Sequence, residues 1–221
     1  IAVASDIHYL SPSLRDNGEA FRAFQASGDG RQVDYVDDIV RAFVRDLCRR
    51  RPGVLVVSGD LTNNGERQSH LGLAQKLKGL EQASGTRVFV VPGNHDILNP
   101  WARRFEGTRQ HPTDSITRDG FKQIYAEFAY EEAISEDSSS LSYLAAASED
   151  LWLLMIDTND YRLNRALGRP GTRGFIANGT LDWIKQCSER AAERGVQVIT
   201  VMHHNLVDHS DVLHRGYTLD N

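Results

Sequence analysis

The sequence predicts an α/β domain with buried sheets and helices on the outside. Short apolar runs of strand length alternate with longer segments of helical spacing. Four of those runs stop abruptly at polar residues, namely Asp6-Ile7-His8, Gly59-Asp60, Gly93-Asn94-His95-Asp96 and His203-His204. The 221 residues are enough for one sizeable core.

Ile1 to Ser5 is apolar and short, as a buried strand requires. Residues 9–33 are polar and rich in glycine, a long connection of the kind that often serves as a lid. From Asp34 to Arg51 the positions Val36, Ile39, Val40, Phe43, Val44 and Leu47 recur at helical spacing, and Pro52-Gly53 ends the helix. Arg49-Arg50-Arg51 suits the negative end of that helix and needs no nucleic-acid partner. Val54 to Val57 is a second buried strand, Glu66 to Ala83 a helix, and Val88 to Val91 a third strand. Residues 97–140 are less regular, with a helix expected near Gly120–Ala129. Leu141 to Ala146 and Leu151 to Ile156 read as paired strands joined by Ser148-Glu149-Asp150. Thr180 to Arg194 is a helix with Thr180 preferred as its cap, and Val196 to Met202 is a further strand.

Composition narrows the function. Hydrophobic residues make up 40% and charged residues 25%, which argues against disorder. The net charge of −5 and the lack of a dense basic stripe argue against a general nucleic-acid binder. Cys48 and Cys187 lie far apart and outside any Cys-x-x-Cys pair, so they read as small apolar core residues. No apolar run reaches the ~20 residues of a membrane span. The chain opens at Ile1 and not Met, so a removed leader stays open, and the compartment is either cytoplasmic or exported.

Ligands in α/β sheets gather outside the carboxyl ends of strands, so the four polar strand ends are expected to converge. In an extended segment Asp6 and His8 would point to the same side and grip one metal ion. Asp60 has two carboxylate oxygens and can bridge two ions, while Asn94 offers an amide oxygen and His203 an imidazole. Singly, each has a plainer reading as a strand-end cap, a turn or a packed histidine. Together and in this order they favour a two-metal site. Mixed nitrogen and oxygen donors suit Mn, Fe or Zn without choosing among them. Two ions ~3.5–4 Å apart clamp the attacking and leaving oxygens of a displacement at phosphorus.

The motifs Asp6-Ile7-His8, Gly59-Asp60, Gly93-Asn94-His95-Asp96 and Met202-His203-His204 resemble the calcineurin-like metallophosphoesterase superfamily. Gly59-Asp60-Leu61-Thr62-Asn63-Asn64-Gly65 is most similar to its bacterial, cyclic-nucleotide-phosphodiesterase-like branch. The resemblance implies one metallophosphoesterase domain over residues 1–221, a four-layer α/β/β/α sandwich of mixed sheets flanked by helices. It implies a metal-dependent phosphoric ester hydrolase with two divalent or trivalent ions, acting on cyclic nucleotides or other small organophosphates by metal-activated hydroxide attack at phosphorus. Asp6 and His8 would bind the first metal, Asp60 both, and Asn94 and His203 the second. His95 would meet the leaving oxygen as general acid or as a phosphate-stabilising cation, a task suited to a side chain with an ordinary pKa of ~6.5. Asp96 would orient its neighbours or cap the turn. His204 matches the ligand pattern less well than His203.

Two departures from the family pattern stand out. The family's closing Gly-His-x-His motif does not occur, which reads as a C-terminal truncation leaving an incomplete site; His209 and His214 have the wrong spacing to replace it. Asn63 and Asn64 stand where protein Ser/Thr phosphatases carry Asp and Arg, which argues against a phosphoprotein substrate. These amides would hydrogen-bond a phosphate or simply shape a turn. Residues 9–33 and 97–130 would overhang the metals, with Tyr9, Trp101, Arg103 and Arg104 available to stack a base or meet a phosphate. The expected partner is a small-molecule phosphoester, with no nucleic acid. The competing readings are a non-catalytic scaffold of the same fold, and a phosphomonoesterase or nuclease using the same site.

Overall fold

The computed structural model describes residues 1–28, 30–128, 130–208 and 217–220. His209 and His214 lie outside the described residues. Among those described, β1 (Ala2–Ala4), β2 (Val54–Ser58) and β3 (Arg87–Val91) form a parallel three-stranded sheet in that order, with Val3 opposite Val56 and Val56 opposite Phe89. Its long crossovers run through α1 (Glu19–Ser27) and α2 (Val36–Arg50), and then through α3 (Arg67–Ser84). β2 and β3 are almost wholly apolar, as strands covered on both faces must be.

α2 starts with Asp37 and Asp38 and ends with Arg49 and Arg50, in accord with the helix dipole. Arg51 closes it in a left-handed conformation, its N–H bonded to the Leu47 carbonyl. The Asp37 carboxylate ties the helical layer together. It takes hydrogen bonds from the Tyr9 hydroxyl at 2.7 Å and Lys76 of α3 at 2.8 Å, and pairs with Arg41 at 2.7 Å.

The second sheet has the order β6 (Ala133–Glu136), β7 (Tyr143–Ala146), β8 (Leu151–Ile156) and β9 (Gln197–Met202). Its first two pairings are antiparallel and the last is parallel, bridged by the crossover helix α6 (Asn178–Glu193). The sheets meet face to face. Tyr143 reaches across, donating its hydroxyl proton to the Val90 carbonyl at 2.8 Å and accepting from the Val90 N–H at 3.2 Å. A smaller core of Trp152, Leu154, Ile156, Trp183 and Cys187 seats α6 on the outer face of this sheet. The layers are therefore α2–α3, first sheet, second sheet and α6, the four-layer sandwich that the resemblance implies, with the first sheet wholly parallel and only the second mixed among the described residues. Cys48 and Cys187 are free thiols in α2 and α6, as expected.

Several details differ from expectation. Residues 9–33 contain a 3-10 turn and α1, whose Phe21 packs edge-on against Phe105. Residues 97–140 fold a hairpin of β4 (Arg103–Glu106) and β5 (Arg109–Pro112), a short α4 (Arg118–Ile124) and β6. Thr180 is not a cap. Ala177 is, and Thr180 is buried one turn in, donating its hydroxyl to Asp137 at 2.6 Å.

Candidate metal centre

All four polar strand ends meet at the carboxyl edge of the two sheets. The last residues of β2, β3 and β9 are Ser58, Val91 and Met202, followed by Asp60, by Asn94 and His95, and by His203. β1 stops at Ala4, and the segment carrying Asp6 and His8 is not extended. Both residues adopt positive φ, 54° and 47°, and Asp60 does too at 47°. The alternation rule for strands thus does not place Asp6 and His8. Two positive-φ residues flanking Ile7 do, held by hydrogen bonds from Asp6 N–H to the Gly59 carbonyl and His8 N–H to the Asp60 carbonyl. Non-glycine residues rarely adopt this conformation, and such strain concentrates at functional sites.

Asp60 sits at the centre, almost fully buried. Its Oδ2 lies 3.6 Å from His8 Nε2, which is itself 3.8 Å from Asp6 Oδ1. Its Oδ1 lies 3.5 Å from His203 Nε2, which is 3.1 Å from Asn94 Oδ1. One donor atom from each of Asp6, Asp60 and His203 falls within 4.8 Å of the others. Two glycines permit this closeness. A Cβ at Gly59 would stand 2.4 Å from His203 Nδ1, and one at Gly93 would stand 2.2 Å from Asp60 Oδ1.

The electrostatics fit a bound cation. Burial raises the Asp60 carboxyl to about 6, against the pull of His203 and His95. Burial also lowers His8 to about 4, helped by His95 and Arg31, which keeps its ring neutral as a ligand must be. Among the described residues no lysine or arginine pairs with Asp60. Asp6, His8, His203 and the Asn94 amide oxygen around the buried Asp60, which pairs with no lysine or arginine among the described residues, are a donor set that divalent metals fit.

His204 is set apart from this cluster. It is buried, its Nδ1 is 2.7 Å from the Thr158 hydroxyl, and burial lowers its pKa to about 3.

Behind this cluster lies a network that the sequence hardly announces. The Asp96 carboxylate accepts from the N–H groups of Gly93, Leu61 and Thr62 and from the Thr62 hydroxyl, at 2.8–3.0 Å. It both caps its own turn and ties that turn to the Asp60 loop. His70 of α3, wholly buried, contacts the Thr62 hydroxyl, the Asp96 carbonyl and the Tyr125 hydroxyl. Asn63 and Asn64 are mostly buried too; neither lines the cavity above the metal cluster, and Asn64 reaches only its side branch. They are held by the buried Glu66, which accepts from the Asn64 N–H at 3.1 Å and the Asn63 amide at 3.4 Å.

Above the cluster opens a cavity of about 650 Å³, lined by Asp6, His8, Asp60, His95, Arg31, Arg169 and Tyr217 among others. Arg31 Nη1 lies 3.3 Å from His8 Nδ1. Of the four overhanging side chains, Trp101 reaches the cavity and Arg103 lines its side branch. Tyr9 does not, because it is buried against Asp37. Arg104 does not either; it is exposed on the hairpin and paired with Glu106.

A family model described as calcineurin-like phosphoesterase matches residues 1–220, and the chain belongs to that family. Among solved structures, a dimetal phosphatase from Danio rerio superposes with a TM-score of 0.57 at 12% identity. The match covers 92% of this chain and 69% of that one, a likeness of fold. No curated protein sequence matches the chain. Among the described residues no helix is long and apolar enough to cross a membrane.

Proposed function

We propose that the protein is a dinuclear metal-dependent phosphodiesterase acting on cyclic nucleotides or other small organophosphates. The observation that carries this reading is the division of Asp60. One oxygen faces His8 and Asp6, and the other faces His203 and Asn94. Asp6, His8 and Asp60 would hold one ion, and Asp60, Asn94 and His203 the other. When bound, such a pair supplies activated water near neutral pH and neutralises charge on the phosphoryl oxygens.

The chain's own groups do the rest. His95 is positioned by its N–H bond to Asp60 Oδ1 at 2.9 Å and by contacts of Nδ1 with the Asn63 carbonyl and the Asn64 amide oxygen. Both Nδ1 neighbours are acceptors, so Nδ1 keeps its proton, and it is the imidazolium form, with a second proton on Nε2, that would protonate a departing alkoxide. Arg31 and Arg169 flank the cavity and can meet phosphoryl oxygens. The absence of a phosphatase-type Asp–Arg pair at Asn63 and Asn64 supports a small substrate over a phosphoprotein.

The test follows hydrolysis of bis(p-nitrophenyl) phosphate and of p-nitrophenyl phosphate, with Mn²⁺ and with chelator. Metal-dependent cleavage of the diester is expected. Cleavage of the monoester alone would make it a phosphomonoesterase, and failure to bind metal would return the scaffold reading.

A further inference from the structure

A second cavity of about 360 Å³ joins the metal cavity, sharing Arg31 and Trp101 with it. It lies between the carboxyl end of α1 and the β4–β5 hairpin, with Phe24, Gln25, Arg103 and Gln110 on its walls and Asn64 at the junction with His95.

Three features define what it can take. The first is a preorganised aromatic face. Trp101 is 43% exposed, yet its indole N–H is fixed to the Gly168 carbonyl at 3.0 Å and its ring stands 6.5 Å from that of His95. An exposed indole anchored at its polar edge is a stacking platform that loses little freedom on binding. The second is the Asn64 amide. Its oxygen is committed to His95 and to the Asn99 amide, at 3.0 and 3.3 Å. That leaves the Asn64 NH₂ as a donor toward the cavity. The third is the wall chemistry, the amides of Gln25 and Gln110 and the guanidiniums of Arg31 and Arg103 beside the rings of Phe24 and Trp101, which suits a flat ring with polar edges better than an alkyl chain.

We propose that this side cavity is a substrate subsite for a planar heteroaromatic ring of nucleobase class, stacked on Trp101 and hydrogen-bonded by Asn64. The assignment rests on the phosphoesterase reading, because the metal cavity would hold the phosphoryl group to which that ring is attached.

The test measures inhibition of bis(p-nitrophenyl) phosphate hydrolysis by adenosine 5′-monophosphate and by methyl phosphate, in wild type, Trp101→Ala and Trp101→Phe. The two inhibitors share the phosphate and differ in the base. Wild type is expected to prefer the nucleotide at least ~10-fold, with that preference falling ~10-fold in Trp101→Ala and staying within ~3-fold in Trp101→Phe. A preference that is absent in wild type, or unchanged in Trp101→Ala, overturns the subsite. Adenosine titration of tryptophan emission separates the subsite from the chemistry, since Trp152 and Trp183 are buried and Trp101 is the exposed indole. If no ester is cleaved but adenosine saturably perturbs wild-type emission and leaves Trp101→Phe unchanged, the phosphoesterase reading fails and the subsite stands. No emission response in wild type overturns the subsite whether or not esters are cleaved.

Discussion

His95 Nδ1 lies 3.0 Å from the Asn64 side-chain oxygen, and the Asn63 carbonyl lies 2.9 Å from the same nitrogen. The donor from Asn99 fixes which end of the Asn64 amide is oxygen, so one proton of His95 is held at Nδ1, and an acid acting from Nε2 must carry the second proton of the imidazolium there. A histidine locked this way is suited to act on the leaving group. It contributes no donor to the ligand cluster except through its backbone N–H to Asp60. His95→Ala should therefore lower kcat by ~10²–10⁴-fold on a diester with an alkyl leaving group and by much less on a nitrophenyl ester. Metal content, read by elemental analysis, should stay near that of wild type. Equal losses on both leaving groups would sink the acid role.

Asp60→Asn tests the division of the carboxylate. An amide retains one oxygen and replaces the other with an NH₂ that cannot ligate. Because Oδ1 faces His203 and Oδ2 faces His8, either orientation leaves one site without its shared ligand and both without the shared negative charge. Metal content should fall at both sites together, with loss of diester cleavage. Two ions retained at full occupancy would refute bridging.

The strand ends were legible in the sequence because each is an apolar run stopped by a polar residue, although only β2 and β3 are buried as expected, while the edge strands β1 and β9 leave Val3 and Ile199 exposed. That pattern is local, and the structure brings Asp6, His8, Asp60, Asn94 and His203 together as it implies. How Asp6 and His8 come to face Asp60 was not legible. Two positive-φ residues two apart carry no composition signal, and a strand would have given the same spacing. Tyr9 illustrates the opposite error: next to His8 it looks like a substrate platform, yet its hydroxyl finds Asp37, a residue 28 positions away. Glu66 and His70 read as ordinary members of a helix start. Only the packing of α3 against the Asp96 turn shows that both are buried supports of the site. The β4–β5 hairpin was missed because Arg103–Glu106 and Arg109–Pro112 are polar edge strands without a hydrophobic period.

Gly59 should tolerate no side chain. Its φ is 92°, and a Cβ there meets His203 Nδ1 at 2.4 Å, so Gly59→Ala combines backbone strain with displacement of the His203 ring. The expected cost is ~1–3 kcal/mol, a fall of several degrees in Tm on the order expected for this chain length. Loss of metal at the Asn94–His203 side should accompany it. Gly79→Ala is the control. Gly79 lies inside α3 with nothing within 4 Å of its added Cβ, so that change should raise stability by ~0.5–1 kcal/mol. A calorimetric scan showing the two variants alike would reject this account.

Glu66 should make stability depend on pH. Burial raises its carboxyl from an ordinary 4.5 to about 7, and the hydrogen bonds from Asn64 and Asn63 only partly offset this. The folded chain thus binds the Glu66 proton more tightly than the unfolded chain. Its contribution to stability is fully present below about 4.5 and is lost as pH rises through about 7. A protonated Glu66 also has an acceptor at hand. Among the described residues Asn63 Oδ1 is buried without a hydrogen bond, and a half-turn of that amide would bring it to the carboxyl. Glu66→Gln mimics the protonated form at every pH. It should match wild type near pH ~4.5 and exceed it above pH ~7 by an amount on the order of 3 kcal/mol. Urea unfolding of both proteins across that range reads the difference directly. A gap that stays constant with pH would mean that Glu66 does not titrate in this window, and its carboxylate would then be an ionised support of the Asn63–Asn64 turn at all working pH values.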